Sequence, residues 1–276
     1  MSDINIERIL VAVDGSPQSL QALHAAAPLA ASLGAELVGL FVEDQALLQL
    51  ASLPFAQEIR TYSATVRQIS PEALQRELRR QSRHARRAIE QVAIRSEVTW
   101  SFRVRRGAVA NELLRAMADA DLIVLGRGSQ IGQRRVGSTA RTILLETTRP
   151  VLILHRRLPR EPHALVLYDG SERAEHTLDV AGEIVGARNG YLTLACAASS
   201  SRLALTTQVT GFRHLRRHGR EAQCRWLIEP TIDKLRHVAR AEGADLIALP
   251  ADIALLQGHR LDDLLEQIDL PVLVVR

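Results

Sequence analysis

ILVAVDGSPQSLQALHAAAPLA at residues 9–30 and ALVLYDGSERAEHTLDVAGEIV at residues 164–185 carry one pattern twice: an apolar run, Asp-Gly-Ser, then apolar residues at helical spacing. The echo returns at the end of each half. ADLIVLG (120–126) and RPVLIL (149–154) correspond to ADLIALP (244–250) and LPVLVV (270–275). Self-similarity on this scale reads as a tandem duplication. The copies part in the loop between the closing runs, GRGSQIGQRRVGST (126–139) against PADIALLQGHRLDD (250–263). A ligand site in that loop is therefore expected in one half only.

Outward from these stretches, each half alternates strand-like and helix-like segments. In the first, Arg8–Val13 is a near-continuous apolar run, as a strand buried on both faces requires. Ser16 is placed to cap a helix, Pro17 suits its first position and Gly34 its stop. Glu36–Val42, Val98–Val104, Leu122–Leu125 and Val151–Leu154 read as further strands. Helices are expected over 71–95, 108–117 and 138–146. The second half repeats the order with strands at Ala164–Tyr168, Tyr191–Ala195, Gln223–Leu227, Leu246–Leu249 and Val272–Val275. Such alternation implies parallel pairing and right-handed crossovers. The fold expected is α/β, two doubly wound five-stranded domains over residues 1–157 and 158–276, packed as an internal pseudo-dimer. An extra stretch at 44–70, with Pro54 and Pro71 bounding two short helical pieces, reads as cover for a core edge, or else as a lid or partner surface.

Composition excludes several classes. The chain has 276 residues, 46% hydrophobic and 24% charged, as in ordinary globular proteins, and each half is long enough to bury a core. No run approaches the roughly 18 apolar residues of a membrane span, and the first residues lack a signal-peptide pattern, so a cytoplasmic protein without membrane attachment is expected. Two cysteines, Cys196 and Cys224, offer neither a disulfide framework nor a zinc spacing. Net charge is +4, carried almost wholly by arginine, and Arg76, Arg80, Arg83 and Arg87 fall on one helical stripe. With aromatics at 3%, no stacking platform accompanies that stripe, which reads as a solvated face rather than a nucleic-acid surface.

Ligands of doubly wound sheets bind beyond the carboxyl ends of the strands, where strand order reverses. That rule selects the turns after strands one and four. Asp14 follows strand one, where it either accepts hydrogen bonds from a ribose or base or holds its own Asp-Gly turn. After strand four come Gly126, Gly128, Ser129, then Arg134 and Arg135, then Gly137, Ser138 and Thr139 opening a helix. Glycines admit phosphate to the backbone, a helix start offers free N–H groups, and arginines neutralise anions. An ordinary helix cap at Gly137-Ser138 is the alternative. His214 and His218 have the spacing of metal ligands on one helix face, but without a hydrolase glutamate they read as part of a solvated basic helix. No nucleophile, base and orienting group argue together for an enzyme.

The residues ILVAVDGS, LVLYDGS, ADLIVLG, ADLIALP, TTRPVLIL and IDLPVLVV together resemble a tandem universal stress protein, two copies of that family's domain fused. The resemblance implies an adenine nucleotide alpha hydrolase-like fold and a stress-response role. It implies ATP, with Mg2+, in the first half: Ala12, Val13 and Val42 beside adenine, Asp14 on the nucleoside, and Gly126, Gly128, Ser129, Gly137, Ser138 and Thr139 on phosphate. The family loop runs Gly, two residues, Gly, nine residues, Gly, then Ser or Thr. Here the middle glycine falls on Ser129 and only seven residues separate it from Gly137. Pro250 replaces the first glycine in the second half, which should not bind ATP in this mode. The resemblance further implies contact through the fifth strands, an unidentified protein partner or homodimer, and at most weak ATP hydrolysis. A ligand-free scaffold of the same fold is the alternative.

Overall fold

The computed structural model describes residues 4–53, 57–59, 66–68, 70–127, 138–154, 156–252 and 261–276. In chain order the first half runs β1 (Arg8–Ala12), α1 (Pro17–Leu33), β2 (Glu36–Asp44), α2 (Gln45–Ala51), β3 (Gln57–Ile59), β4 (Val66–Gln68), α3 (Pro71–Ser96), β5 (Trp100–Gly107), α4 (Val109–Ala116), β6 (Leu122–Gly126), α5 (Ser138–Glu146) and β7 (Val151–Leu154). The second runs β8 (His163–Tyr168), α6 (Glu172–Gly186), β9 (Tyr191–Ala198), α7 (Ser201–Arg217), β10 (Ala222–Ile228), α8 (Ile232–Ala241), β11 (Leu246–Pro250), α9 (Leu261–Gln267) and β12 (Val272–Val275).

All ten expected strands join one sheet in the order β10-β9-β8-β11-β12-β7-β6-β1-β2-β5. Every pairing is parallel except β12 with β7, where Val272 faces Ile153 and Val274 faces Val151 antiparallel. The two doubly wound halves thus meet through their fifth strands, forming the expected pseudo-dimer within one chain. Because side chains alternate across a strand, each strand feeds two cores. Ile9 and Val11 join α1, α3, α6 and α7 on one face. Leu10 joins α4, α5, α8 and α9 on the other. No helix among the described residues is long and apolar enough to cross a membrane.

Local signals match the expected capping. Ser16 Oγ accepts from Ser19 N at 3.2 Å, Pro17 opens α1, and Gly34 closes it in the left-handed conformation. In α3, Leu78, Ile89 and Val92 are buried while Arg76, Arg80, Arg83 and Arg87 are exposed, so the basic stripe is a solvated face. Three expectations need correction. The second piece of the 44–70 stretch is not helical: β3 and β4 pair antiparallel, Gln57 opposite Gln68 and Ile59 opposite Val66. Strand β5 lies later than expected, running on to Gly107 through Arg105 and Arg106, because an edge strand accepts charges that a central one would not. His214 and His218 are not on a solvated face, their side chains being only 11% and 18% exposed.

Candidate functional site

Strand order reverses between β1 and β6, whose register pairs Val11 with Val124. Val13, Asp14, Val42 and Gly126 therefore share the carboxyl rim of the sheet. Val13 is buried and its N–H donates to Leu40 O at 2.9 Å, continuing the β1–β2 ladder by one residue. Ala12 and Val42 are half-buried beside it. Asp14 stands exposed just beyond, and its Oδ1 accepts from Ser16 N at 2.9 Å, closing an Asx turn over Gly15, whose φ is 82°. Burial pushes the Asp14 carboxyl up, but hydrogen bonds from Ser16 and Ser19 outweigh it and hold the group below the ordinary aspartate value. The carboxylate is thus an anion at neutral pH, an acceptor only.

Gly126 ends β6 against the first turn of α1. A Cβ there would lie 2.5 Å from Gln18 O and 2.7 Å from its carbonyl carbon, both backbone. Glycine at this position is required by close helix approach, whatever else it does. Ser138 opens α5 and Thr139 is half-buried in its first turn. Gly128, Ser129, Arg134, Arg135 and Gly137 lie outside the described residues.

Two features of the rim were not anticipated. Arg127, between the loop's first two glycines, does not address the rim. Its Nη1 donates to Ile268 O at 2.8 Å, its Nη2 to Leu265 O, and Asp269 Oδ1 lies 3.9 Å away. The guanidinium thereby caps the C-terminal end of α9 in the other half, satisfying carbonyls that the helix leaves free. Nothing in the local sequence points across 141 residues to that partner. Glu43, next to Val42, is 8% exposed and receives Arg106 Nη2 at 2.6 Å and Nε at 2.9 Å. On the β2 side of the rim the Glu43 carboxylate is thus neutralised by its ion pair with Arg106.

The second half copies the turn and differs around it. Asp169 Oδ1 accepts from Ser171 N at 3.0 Å, and Gly170 has φ 87°. Tyr168 replaces Val13, is fully buried, and packs its ring toward Gly211 of α7. Arg173 of α6 pairs with Asp252, tying the first helical turn to the segment after β11. Pro250 supplies no N–H there, and Ala251 N is spent on Val275 O at 2.8 Å.

Residues 5–155 match the model described as Universal stress protein family. A universal stress protein from Archaeoglobus fulgidus DSM 4304 superposes with a TM-score of 0.76 at 16% identity, covering 98% of each chain. A functionally unknown protein from Pseudomonas aeruginosa PAO1 gives 0.59 at 16% identity over 98% of this chain and 92% of its own. At such identities the likeness is one of fold. No curated protein matches the sequence.

Proposed function

This chain belongs to the universal stress protein family, and from that premise we propose that its first half binds ATP or a related adenine nucleotide, with Mg2+, at the β1–β6 rim. The base and ribose lie toward Val13 and Val42, with Asp14 accepting from the ribose hydroxyls through the carboxylate oxygen its own turn does not use. The phosphates run toward the start of α5, which Ser138 and Thr139 open and which Arg134, Arg135 and Gly137 precede in sequence. That direction follows from the helix start, whose unpaired N–H groups attract phosphate. Ligand state changes the affinity of a protein partner, which requires that the nucleotide bind two conformations unequally. Helix α2 begins at the β2 rim beside Val42 and exposes Leu47 and Leu50, which makes it the partner surface of this reading. The second half is a silent structural partner.

The observation that carries the reading is the contrast between the halves. Both keep the aspartate turn, but the second half has Tyr168 and Pro250 where the first has Val13 and Gly126, and it adds an Arg173–Asp252 pair beside its turn. The test is to denature the purified chain, identify any released small molecule by mass, and titrate the emptied protein with ATP and Mg2+. About one adenine nucleotide per chain, lost in a folded Asp14→Ala variant, supports the proposal. A second reading, a ligand-free scaffold, is favoured by one observation: Asp14 spends an oxygen on its own turn just as Asp169 does in the second half. No release and no binding at millimolar ATP selects the scaffold. ATP turnover that disappears with Gly137→Val would replace both readings by an enzyme.

A further inference from the structure

On the α6–α7 face of the second half, far in sequence from the rim loops, three side chains converge. Asp179 Oδ1 lies 2.7 Å from His214 Nε2 and 4.0 Å from His218 Nε2. One ligand atom from each of the three falls within 4.8 Å of the others. The two imidazoles stand four residues apart at the C-terminal end of α7, which His218 caps, with ring centroids 4.7 Å apart. All three side chains are at least four-fifths shielded, with exposures of 18%, 11% and 18%.

We propose that Asp179, His214 and His218 form a binding site for a borderline divalent transition-metal ion of the Zn2+ class. Two imidazoles and one carboxylate are a donor set that suits such ions, whereas Mg2+ and Ca2+ prefer all-oxygen shells. An ion with bonds of about 2.0–2.2 Å needs tetrahedral donors roughly 3.3 Å apart. Asp179 Oδ1 accepts a hydrogen bond from His214 Nε2 at 2.7 Å, so an ion takes that place as the imidazole proton moves to Nδ1, and side-chain rotation brings His218 Nε2, 4.0 Å from Asp179, into range. Glu175 completes the outer layer. Its Oε2 lies 3.5 Å from His214 Nδ1, on the side of the ring opposite Asp179, where it can accept a hydrogen bond from Nδ1–H when Nε2 holds the metal.

Charge and space agree. Glu175, Asp179 and Glu183 bring three carboxylates, and the neighbouring Arg220 donates to Glu183 Oε2 at 2.9 Å and to the Asp179 carbonyl at 2.9 Å. A cavity of about 390 Å³ lined by Ile4, Asn5, His218 and Arg220 adjoins the cluster, so solvent or a small ligand can take the remaining coordination position. At the corresponding positions of the first repeat, α1 carries Leu20, His24 and Pro28 in place of Glu175, Asp179 and Glu183.

The test uses the full chain without a histidine tag. Calorimetric titration with Zn2+ should give one site per chain, and Co2+ should give the intense visible bands of a four-coordinate ion. His218→Gln and Asp179→Asn, each checked for native circular dichroism, should weaken binding by more than the roughly 10–100-fold that loss of a supporting group costs. Without any substitution, Zn2+ should protect His218, but not the exposed His84 and His237, from imidazole acylation mapped by mass spectrometry. Absence of micromolar Zn2+ binding, unchanged affinity in the folded variants, or no protection of His218 would overturn the site.

Discussion

At the scale of single residues, glycine and histidine each answer to a constraint that composition hides. In sequence Gly126 suits the approach of a phosphate, yet its first demand is steric, since a methyl there meets Gln18 backbone that cannot rotate away. Gly126→Ala should therefore destabilise the chain by about 1–3 kcal/mol, the range of overpacking substitutions, measured by denaturant unfolding without any nucleotide present. An unchanged midpoint would return the glycine to a purely ligand-directed role. His163 is a different case. Its Nδ1 lies 3.1 Å from Glu242 O, which can only accept, so Nδ1 carries the proton and Nε2 accepts from Thr193 Oγ1 at 2.9 Å. Burial pushes its pKa below 6.5, the ordinary value, against the opposing pull of Glu242 and Asp245. The unfolded chain then binds a proton that the folded chain refuses. Stability from this residue is complete above pH 6.5 and is lost as pH falls from there toward the folded pKa. His24 and His176 shift in the same sense. His163→Gln should thus shrink, not remove, the loss of stability between neutral pH and pH 5, and a slope identical to wild type would contradict the assignment.

At the scale of elements, what the sequence disclosed was what repeats and what periodicity enforces. Strands such as β1 and β8 are buried on both faces and announce themselves as apolar runs, and α3 separates its arginine stripe from Leu78, Ile89 and Val92 by helical spacing alone. The β3–β4 hairpin escaped because three-residue strands are too short to show alternation, and Pro54 equally suits a helix boundary or a turn. The two histidines of α7 escaped because their partner, Asp179, is on another helix and HLRRH is basic in isolation. Arg127 escaped for the same reason at longer range: its neighbours are loop glycines, but its hydrogen bonds go to α9. As a charged cap on that seven-residue helix, it should matter to both halves at once. Arg127→Ala is expected to cost about 1.5–3 kcal/mol, the usual worth of hydrogen bonds to a charged group. Amide exchange at the end of α9 should accelerate with it, while exchange in α3 should not. Equal acceleration everywhere would mean the residue acts on global stability alone.

At the scale of the whole molecule, the antiparallel β7–β12 pairing decides what the chain can assemble with. Val151, Leu152, Ile153 and Leu154 are all buried, Leu152 and Leu154 in one core and Val151 and Ile153 in the other. The sheet ends instead in β5, which bears Arg103, Arg105 and Arg106, and in β10, which bears Arg225. Charged edges discourage strand addition, so the full chain is expected to remain a monomer with respect to its sheet. The proposed unit 1–157 differs. Freed of β12, its β7 becomes an apolar edge with a row of unpaired backbone groups, and antiparallel pairing with a second copy is the two-fold arrangement that covers it. Sedimentation of residues 1–157 should give a folded dimer, and of the full chain a monomer, at the same micromolar concentration. Adding 158–276 as a separate chain should convert that dimer into a one-to-one complex, because β12 presents the surface β7 already packs against in the intact protein. A folded, monomeric 1–157 would mean that β7 tolerates exposure, and the join between halves would then be a consequence of their tether and not of the strand edges themselves.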